Sequence, residues 1–333
     1  MDKQLKENLI DFLNHKVQDV RVLVIGDVML DRYFYGTATR ISPEAPVPVN
    51  RVDKKKDTLG GAANVAHNLA QLGCQTYLAG AIGDDHHGRL LKRKMAKRDI
   101  HTDGLVLGRE KTTTKIRILG GHQQMIRVDF EETDAISDEA TKELEAFIEK
   151  RIKDGLEAII LSDYGKGLCT ETLCQYTIQL AKQSGIPIFV DPKGSAWQKY
   201  RGASYITPNV KEAGVVMNRA LNNKDDKDIE DAAVSIRNAY KIDNVMITRS
   251  ERGLSLFTDK EVFAVPTVAQ EVFDVSGAGD TVISVFAASI GGGLTPCDAA
   301  EVANFAAGIE VNKLGTYAVG RDEVLEKIET GEC

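Results

Sequence analysis

Four short apolar runs in the second half of the chain each end in a polar cluster, and this repetition restricts the fold more than any other feature. Ala158–Ser162 runs into Asp163-Tyr164-Gly165-Lys166-Gly167, and Ile186–Val190 into Asp191-Pro192-Lys193-Gly194. Ser204–Thr207 runs into Pro208-Asn209-Val210-Lys211-Glu212, and Asn244–Thr248 into Arg249-Ser250-Glu251-Arg252-Gly253. Uncharged runs of this length, alternating with helical stretches, mark parallel strands buried on both faces. A fifth run, Arg21–Gly26, has Asp27 and Asp31 just beyond its carboxyl end. The pattern predicts an α/β fold with a mostly parallel central sheet. The polar ends should share one edge of that sheet, where open α/β sheets bind their ligands. Carboxylates accept hydrogen bonds from sugar hydroxyls, so Asp27 and Asp31 fit hydroxyl recognition; a helix or turn cap is the alternative for Asp27.

Two glycine-rich stretches carry chemistry. Asp274-Val275-Ser276-Gly277-Ala278-Gly279-Asp280 leads into Thr281–Ile290, which has no charged residue and reads as a buried helix. The first turn of such a helix presents unpaired N–H groups and partial positive charge to an anion. Asp280 at the same mouth makes sense if it takes a proton from a nucleophile while the N–H groups hold a phosphoryl group in transfer. The plain alternative is a glycine turn capped by Asp. The other stretch is Gly60-Gly61-Ala62-Ala63-Asn64 at the head of a small-residue helix. Its glycines let backbone approach a ligand, and Asn64 is placed to hydrogen-bond one; a turn before a core helix reads equally well. His67 is expected in the core or behind the site.

Tyr33 to Val52 contains Pro43, Pro46 and Pro48, which argues for edge strands or loops off the main sheet. Lys115–Asp129 reads as a hairpin about Gly120-Gly121. Together, segments 33–52 and 113–130 are expected to form a small β-lid. Arg117 and Arg127 could reach an anionic substrate from it, or lie exposed. Lys193 suits phosphate neutralisation and Glu212 a metal, directly or through water; each reads equally as a cap or surface ion pair. His86-His87 reads as a surface turn rather than a metal site, and Arg89–Arg98 as a solvated basic helix. Strands at 254–257 and 262–265 form a hairpin, the loop at 222–226 joins helices, and Ala299–Lys313 is a second small-residue helix.

The 42 Lys and Arg against 49 Asp and Glu give a net charge of −7, which weighs against nonspecific binding to nucleic acid or an anionic membrane. No run is apolar enough to span a bilayer, and residues 1–20 read as an amphipathic helix rather than a signal peptide. The five cysteines, Cys74, Cys169, Cys174, Cys297 and Cys333, form no C-x-x-C pair and fit reduced thiols in the cytoplasm. The strand at Arg21–Gly26 is not followed by the glycine fingerprint of dinucleotide folds.

Gly60-Gly61-Ala62-Ala63-Asn64 and Asp274-x-x-Gly277-Ala278-Gly279-Asp280 together resemble the two signatures of the ribokinase-like (PfkB) carbohydrate kinases, and Asn209-x-x-Glu212 is similar to that family's metal and phosphate motif. The resemblance covers essentially the whole chain. Gly26–Tyr33, Arg40–Val49, Leu161–Gly167, Asp191–Gly194 and Thr248–Glu251 look most like the D-glycero-β-D-manno-heptose 7-phosphate kinase branch. Ser276 stands where that branch usually has Thr; both carry a hydroxyl.

The resemblance implies a ribokinase-like three-layer sandwich, with the chain forming one kinase domain. It implies ATP and Mg2+, with a monovalent cation as a possible addition. Asp280 would be the base for the sugar C1 hydroxyl, and Gly277, Ala278 and Gly279 would supply the anion hole. Asn209 and Glu212 would serve the phosphates and magnesium. Thr248, Ser250, Gly253, Asp274, Asn304 and Gly308 would serve the nucleotide. Asp27, Asp31, Gly60, Gly61, Asn64, Arg117 and Lys193 would contact the heptose phosphate. The product would be heptose 1,7-bisphosphate, on the route to ADP-heptose and lipopolysaccharide core. Many members of the branch carry a nucleotidyltransferase module after the kinase; no H-x-G-H-type motif occurs here, so the chain would be either a stand-alone kinase or the first module of such a protein, and a phosphatase and an adenylyltransferase would act on the product. The resemblance also suggests a homodimer through the β-lid. The alternatives are the same fold acting on another sugar, and a sugar-phosphate-binding regulator without catalysis.

Overall fold

The computed structural model describes residues 3–121, 123–268, 272–313 and 315–330; Cys333 lies outside them. The chain opens with α1 (Lys3–Asp11), continued by a π turn and a 3-10 turn that bury Phe12, Leu13 and Val17. After β1 (Arg21–Gly26) it leaves the main sheet in a long hairpin, β2 (Val28–Ile41) and β3 (Pro48–Gly61). Then come α2 (Ala62–Leu72), β4 (Gln75–Gly83), α3 (His86–Ala96) and β5 (Ile100–Arg109). A second hairpin follows, β6 (Thr114–Gly120) and β7 (Gln123–Phe130), and then α4 (Asp138–Asp154). The repeating part comprises β8 (Ala158–Ser162), α5 (Glu171–Gln183), β9 (Ile188–Asp191), β10 (Tyr205–Ile206), α6 (Val210–Val216), α7 (Asp226–Tyr240) and β11 (Asn244–Thr248). A hairpin of β12 (Leu254–Phe257) and β13 (Val262–Val265) precedes α8 (Ala278–Gly291), α9 (Pro296–Glu310) and α10 (Arg321–Thr330).

The main sheet has the order β13-β12-β11-β10-β9-β8-β1-β4-β5. Pairing is parallel from β11 to β5 and antiparallel at β12 and β13. Strand periodicity divides its side chains between two cores. Val22, Val24 and Ile160 pack with α2, α8 and α9 on one face. Leu23, Ile25, Ile159 and Leu161 pack with α4, α5 and α7 on the other. Each such buried side chain contributes about 1.5–3 kcal/mol, which is why these strands read as unbroken apolar runs.

The smaller sheet has the order β3-β2-β6-β7, with β2 and β6 parallel. It reaches further than the expected 33–52: β2 begins at Val28 and β3 ends at Gly61. Pro43 and Pro46 fall in the turn between the strands and Pro48 is the first residue of β3. The charged run Lys54-Lys55-Lys56 hides the strand, yet β3 is an edge strand, where exposed lysines are tolerated and guard against edge-to-edge pairing. Two smaller expectations also change. The basic helix begins at His86, capped by Asp85, and buries Leu90, Leu91 and Met95 rather than standing free in solvent. The strand at 204–207 is only Tyr205–Ile206. The described cysteines are all free. Among the described residues no helix is long and apolar enough to cross a membrane.

Candidate active site

The ends of β8, β9 and β10, the start of α6 and the start of α8 meet at one edge of the sheet. The cap of α8 is Gly277, at φ 108°. A Cβ there would lie 3.1 Å from Glu310 Oε1 and 3.3 Å from Asn64 Nδ2, so both conformation and space favour glycine. Asp280 sits in the first turn, buried. Thr281 donates to Asn68 Oδ1 at 3.1 Å and Ser284 to the Val65 carbonyl at 3.0 Å, which locks α8 against α2. That lock brings Asn64 to the carboxylate: its Nδ2 donates to Asp280 Oδ2 at 2.7 Å. The Tyr164 hydroxyl donates to the other oxygen, Oδ1. Burial pushes the Asp280 carboxyl up to about 6, and nearby Asp31 adds to this, while the two hydrogen bonds pull against it. The N–H groups of Gly277, Gly279 and Asp280 have no partner among the described residues, whereas that of Ala278 donates to the Val275 carbonyl at 3.3 Å. The open donors of the expected anion hole are therefore those of Gly277, Gly279 and Asp280, and Ala278 is the one already engaged.

Two hollows meet at this point. One is a cleft of about 1360 Å³ bordered by Thr248, Ser250, Gly253, Ala278, Asn304 and Gly308, with apolar walls from Leu221, Val272, Val275, Val282 and Val311. The other is a polar cavity of about 190 Å³ lined by Asp163, Tyr164, Asp191, Lys193, Glu212, Gly277 and Asp280. Asn209, Thr248 and Gly279 line both. Asn209 caps α6 in a capping box: its Oδ1 accepts from Glu212 N at 2.9 Å, and Glu212 Oε2 accepts from Asn209 N at 3.1 Å. Lys193 Nζ pairs with Glu212 Oε1 at 3.0 Å.

Several expected contacts are placed differently. Asp27 does not point a free carboxylate at a sugar. Its oxygens accept from the N–H groups of Tyr164 (2.9 Å), Lys166 (3.0 Å) and Leu168 (3.2 Å), so it organises the loop after β8. Asp274 borders neither hollow, and nor do Asp27, Asp31, Gly60, Gly61, Asn64 and Arg117; Asp274 accepts from Ser276 N at 2.9 Å and Gly315 N at 3.0 Å and holds the turn before α8. Asp31 lies just beyond β1, within β2, and is paired with Arg117 at 2.5 Å. Gly60 and Gly61 are the last residues of β3, not a free turn. A Cβ on Gly60 would come within 2.3 Å of Asp31 Oδ2, so the glycine admits that carboxylate to the backbone. Arg127 pairs with Asp129 on the exposed lid. His67 is half-buried and accepts from Arg98 at 2.9 Å, away from Asp280.

Tyr164, Asp163 and Asp191 also line the small cavity, and their only sequence signal is a place after a strand in the repeating pattern. Burial beside Asp280 and Glu212 raises the Asp191 carboxyl well above its ordinary value. Asp163 Oδ2 accepts from the Tyr200 hydroxyl at 2.6 Å and pairs with Lys199.

A mostly parallel sheet with helices on both faces and a small second sheet beside it places the chain among α/β proteins of the ribokinase-like fold. The fold is shared with phosphofructokinase-2 of Escherichia coli solved with potassium, at TM-score 0.78 and 20% identity over 93% of this chain and 99% of that one. Ribokinase of Arabidopsis thaliana, solved with ribose and ATP, gives TM-score 0.74 and 19% identity over 93% and 99%. The model of the pfkB family of carbohydrate kinases matches residues 19–322, and the chain belongs to that family. It is 43% identical over 329 residues to the bifunctional protein HldE of Methylobacillus flagellatus, covering 98% of this chain and 67% of that protein. With the HldE of Haemophilus influenzae it shares 42% over 319 residues, 94% and 65%. The chain thus spans about two thirds of the length of these relatives.

Proposed function

We propose that this carbohydrate kinase uses ATP to phosphorylate the C1 hydroxyl of D-glycero-D-manno-heptose 7-phosphate, giving the 1,7-bisphosphate on the route to ADP-heptose and lipopolysaccharide core. The observation that carries the reading is the Asp280 carboxylate, buried at the open N-terminus of α8 where the cleft and the small cavity meet. The large cleft suits a nucleotide: apolar walls for a base, with Thr248 and Asn209 toward its phosphates. Asp280 takes the C1 hydroxyl proton as the C1 oxygen bonds to the γ-phosphorus and the bond from that phosphorus to ADP breaks. The N–H groups of Gly279 and Asp280 stabilise charge on the transferring group. Asp31, Gly60, Asn64 and Lys193 are the proposed sugar-phosphate contacts.

The donor set suits magnesium held through its waters. Glu212 borders the small cavity but is engaged by Lys193 and Asn209, and no three His, Cys, Asp or Glu cluster as metal ligands among the described residues. A cation bound mainly by phosphates and water fits that arrangement. Magnesium, when bound, neutralises charge on the β- and γ-phosphates. Monovalent-cation stimulation, a cytoplasmic setting, and a phosphatase and adenylyltransferase acting on the product are parts of the same proposal. So is a homodimer through the lid, supported by exposed Ile41, Val52, Ile126, Val128 and Phe130 on its strands.

An ATP-consumption assay with magnesium across heptose 7-phosphate, ribose, fructose 6-phosphate, fructose 1-phosphate and adenosine tests the reading. Selective turnover of heptose 7-phosphate supports it. Preference for another sugar keeps the kinase and removes the substrate, and sugar-phosphate binding without turnover favours a regulator.

A further inference from the structure

We propose that Tyr164 is a positioning residue: its hydroxyl fixes one oxygen of Asp280 while Asn64 fixes the other, so the carboxylate cannot rotate away from the small cavity. The inference rests on the reading of Asp280 as the base. A carboxylate held by one donor still turns about its Cβ–Cγ bond. Two donors from separate elements, α2 and the loop after β8, remove that freedom. Each carboxylate oxygen has two acceptor positions, so both bonds leave room for a substrate hydroxyl. Holding the reacting atoms in one geometry is itself a large part of catalysis.

The loop that delivers Tyr164 is held far more firmly than a surface turn requires. Asp27 takes three of its N–H groups, including that of Tyr164. Asp163 Oδ1 accepts from Gly165 N at 2.6 Å, and its other oxygen is tied to Tyr200 and Lys199. A Cβ on Gly167, at φ 81°, would lie 1.9 Å from the Asp134 carbonyl. Two buried carboxylates, Asp27 and Asp163, thus set the backbone from which Tyr164 reaches Asp280. The phenol remains a donor throughout, since burial and then the nearby Asp280 and Asp191 charges raise it well above its ordinary value.

Tyr164→Phe tests this by keeping the ring and removing the hydroxyl. Turnover of heptose 7-phosphate is followed from pH 5 to 9, with thermal unfolding as a check on folding and Asp280→Asn measured in parallel. The expected result is a kcat lower by about tenfold, as for loss of a hydrogen bond to a charged group, with KM for ATP unchanged. The acid limb of kcat/KM also moves to higher pH, because a donor favouring the ionised carboxylate is gone. A merely structural tyrosine would not move that limb. If Asp280→Asn is inactive while Tyr164→Phe keeps the parent kcat and acid limb, the positioning role is overturned and the base assignment stands. If Asp280→Asn retains turnover, the base assignment fails and takes this inference with it.

Discussion

Asn64 and Asp280 are 216 positions apart, and their side chains meet at 2.7 Å. The contact joins the two glycine-rich stretches. Each opens a small-residue helix, and the two helices pack closely enough for Thr281 to reach Asn68. Small residues there bring the helices together, and the close approach makes the site.

The first prediction concerns pH. Asp280 as the proposed base must be ionised, and burial pushes its carboxyl up to about 6. The kcat/KM for the sugar should hold above pH 7 and fall about tenfold per unit well below 6. A pH profile checks this, and a profile flat down to pH 4.5 would count against Asp280 as base.

Glu310 yields a stability prediction. It is fully buried, with no side-chain partner among the described residues, and burial with nearby Asp280 and Asp274 raises its carboxyl to about 8 against the opposing pull of the Tyr317 N–H. The folded state therefore binds a proton that the unfolded state, at its ordinary 4.5, releases. This contribution is fully present below about pH 4.5 and declines as pH rises to about 8. Glu310→Gln should be more stable than the parent at pH 8.5, on the order of 2 kcal/mol, with a smaller difference at pH 5.5. Urea unfolding at both values checks the sign.

Gly61 lies at φ 57°, with the Asp27 carbonyl 2.4 Å from where a Cβ would sit. Gly61→Ala should cost about 1–3 kcal/mol. Gly60→Ala should instead displace Asp31 and raise KM for the sugar more than KM for ATP. Unfolding and steady-state kinetics on the two variants separate the effects.

Asn209 has a structural task and a proposed ligand task, and two substitutions divide them. Asn209→Ala removes the α6 cap and should cost about 1 kcal/mol. Asn209→Asp keeps an acceptor for Glu212 N, so stability should be near the parent's. It also sets a negative charge between the hollows, so KM for ATP should rise. Equal KM values in the parent and Asn209→Asp would remove Asn209 from the phosphate site.

Much of the sheet was legible because strands buried on both faces must be apolar and must end where polar groups reach solvent. Leu23 and Val24 read alike although they serve opposite cores. The full length of β3 is not legible in sequence, because its exposed lysines carry no apolar alternation. Asp280 and Asn64 were legible through their glycine settings. The loop-holding bonds of Asp27 and Asp274 are not legible, because a carboxylate that caps a loop and one that binds a ligand look the same in sequence; only the N–H groups around them tell the two apart. Tyr164 carried no local signal beyond its place after a strand, since its partner lies 116 positions away.

The most direct measurement is phosphorus NMR of the product formed from heptose 7-phosphate, ATP and magnesium, by the parent and by Asp280→Asn. The account predicts a new phosphate on C1 with the parent and a rate at least a hundredfold lower with the variant, while the variant still binds ATP. Phosphate on another carbon, no acceptance of heptose 7-phosphate, or undiminished turnover by Asp280→Asn would contradict it.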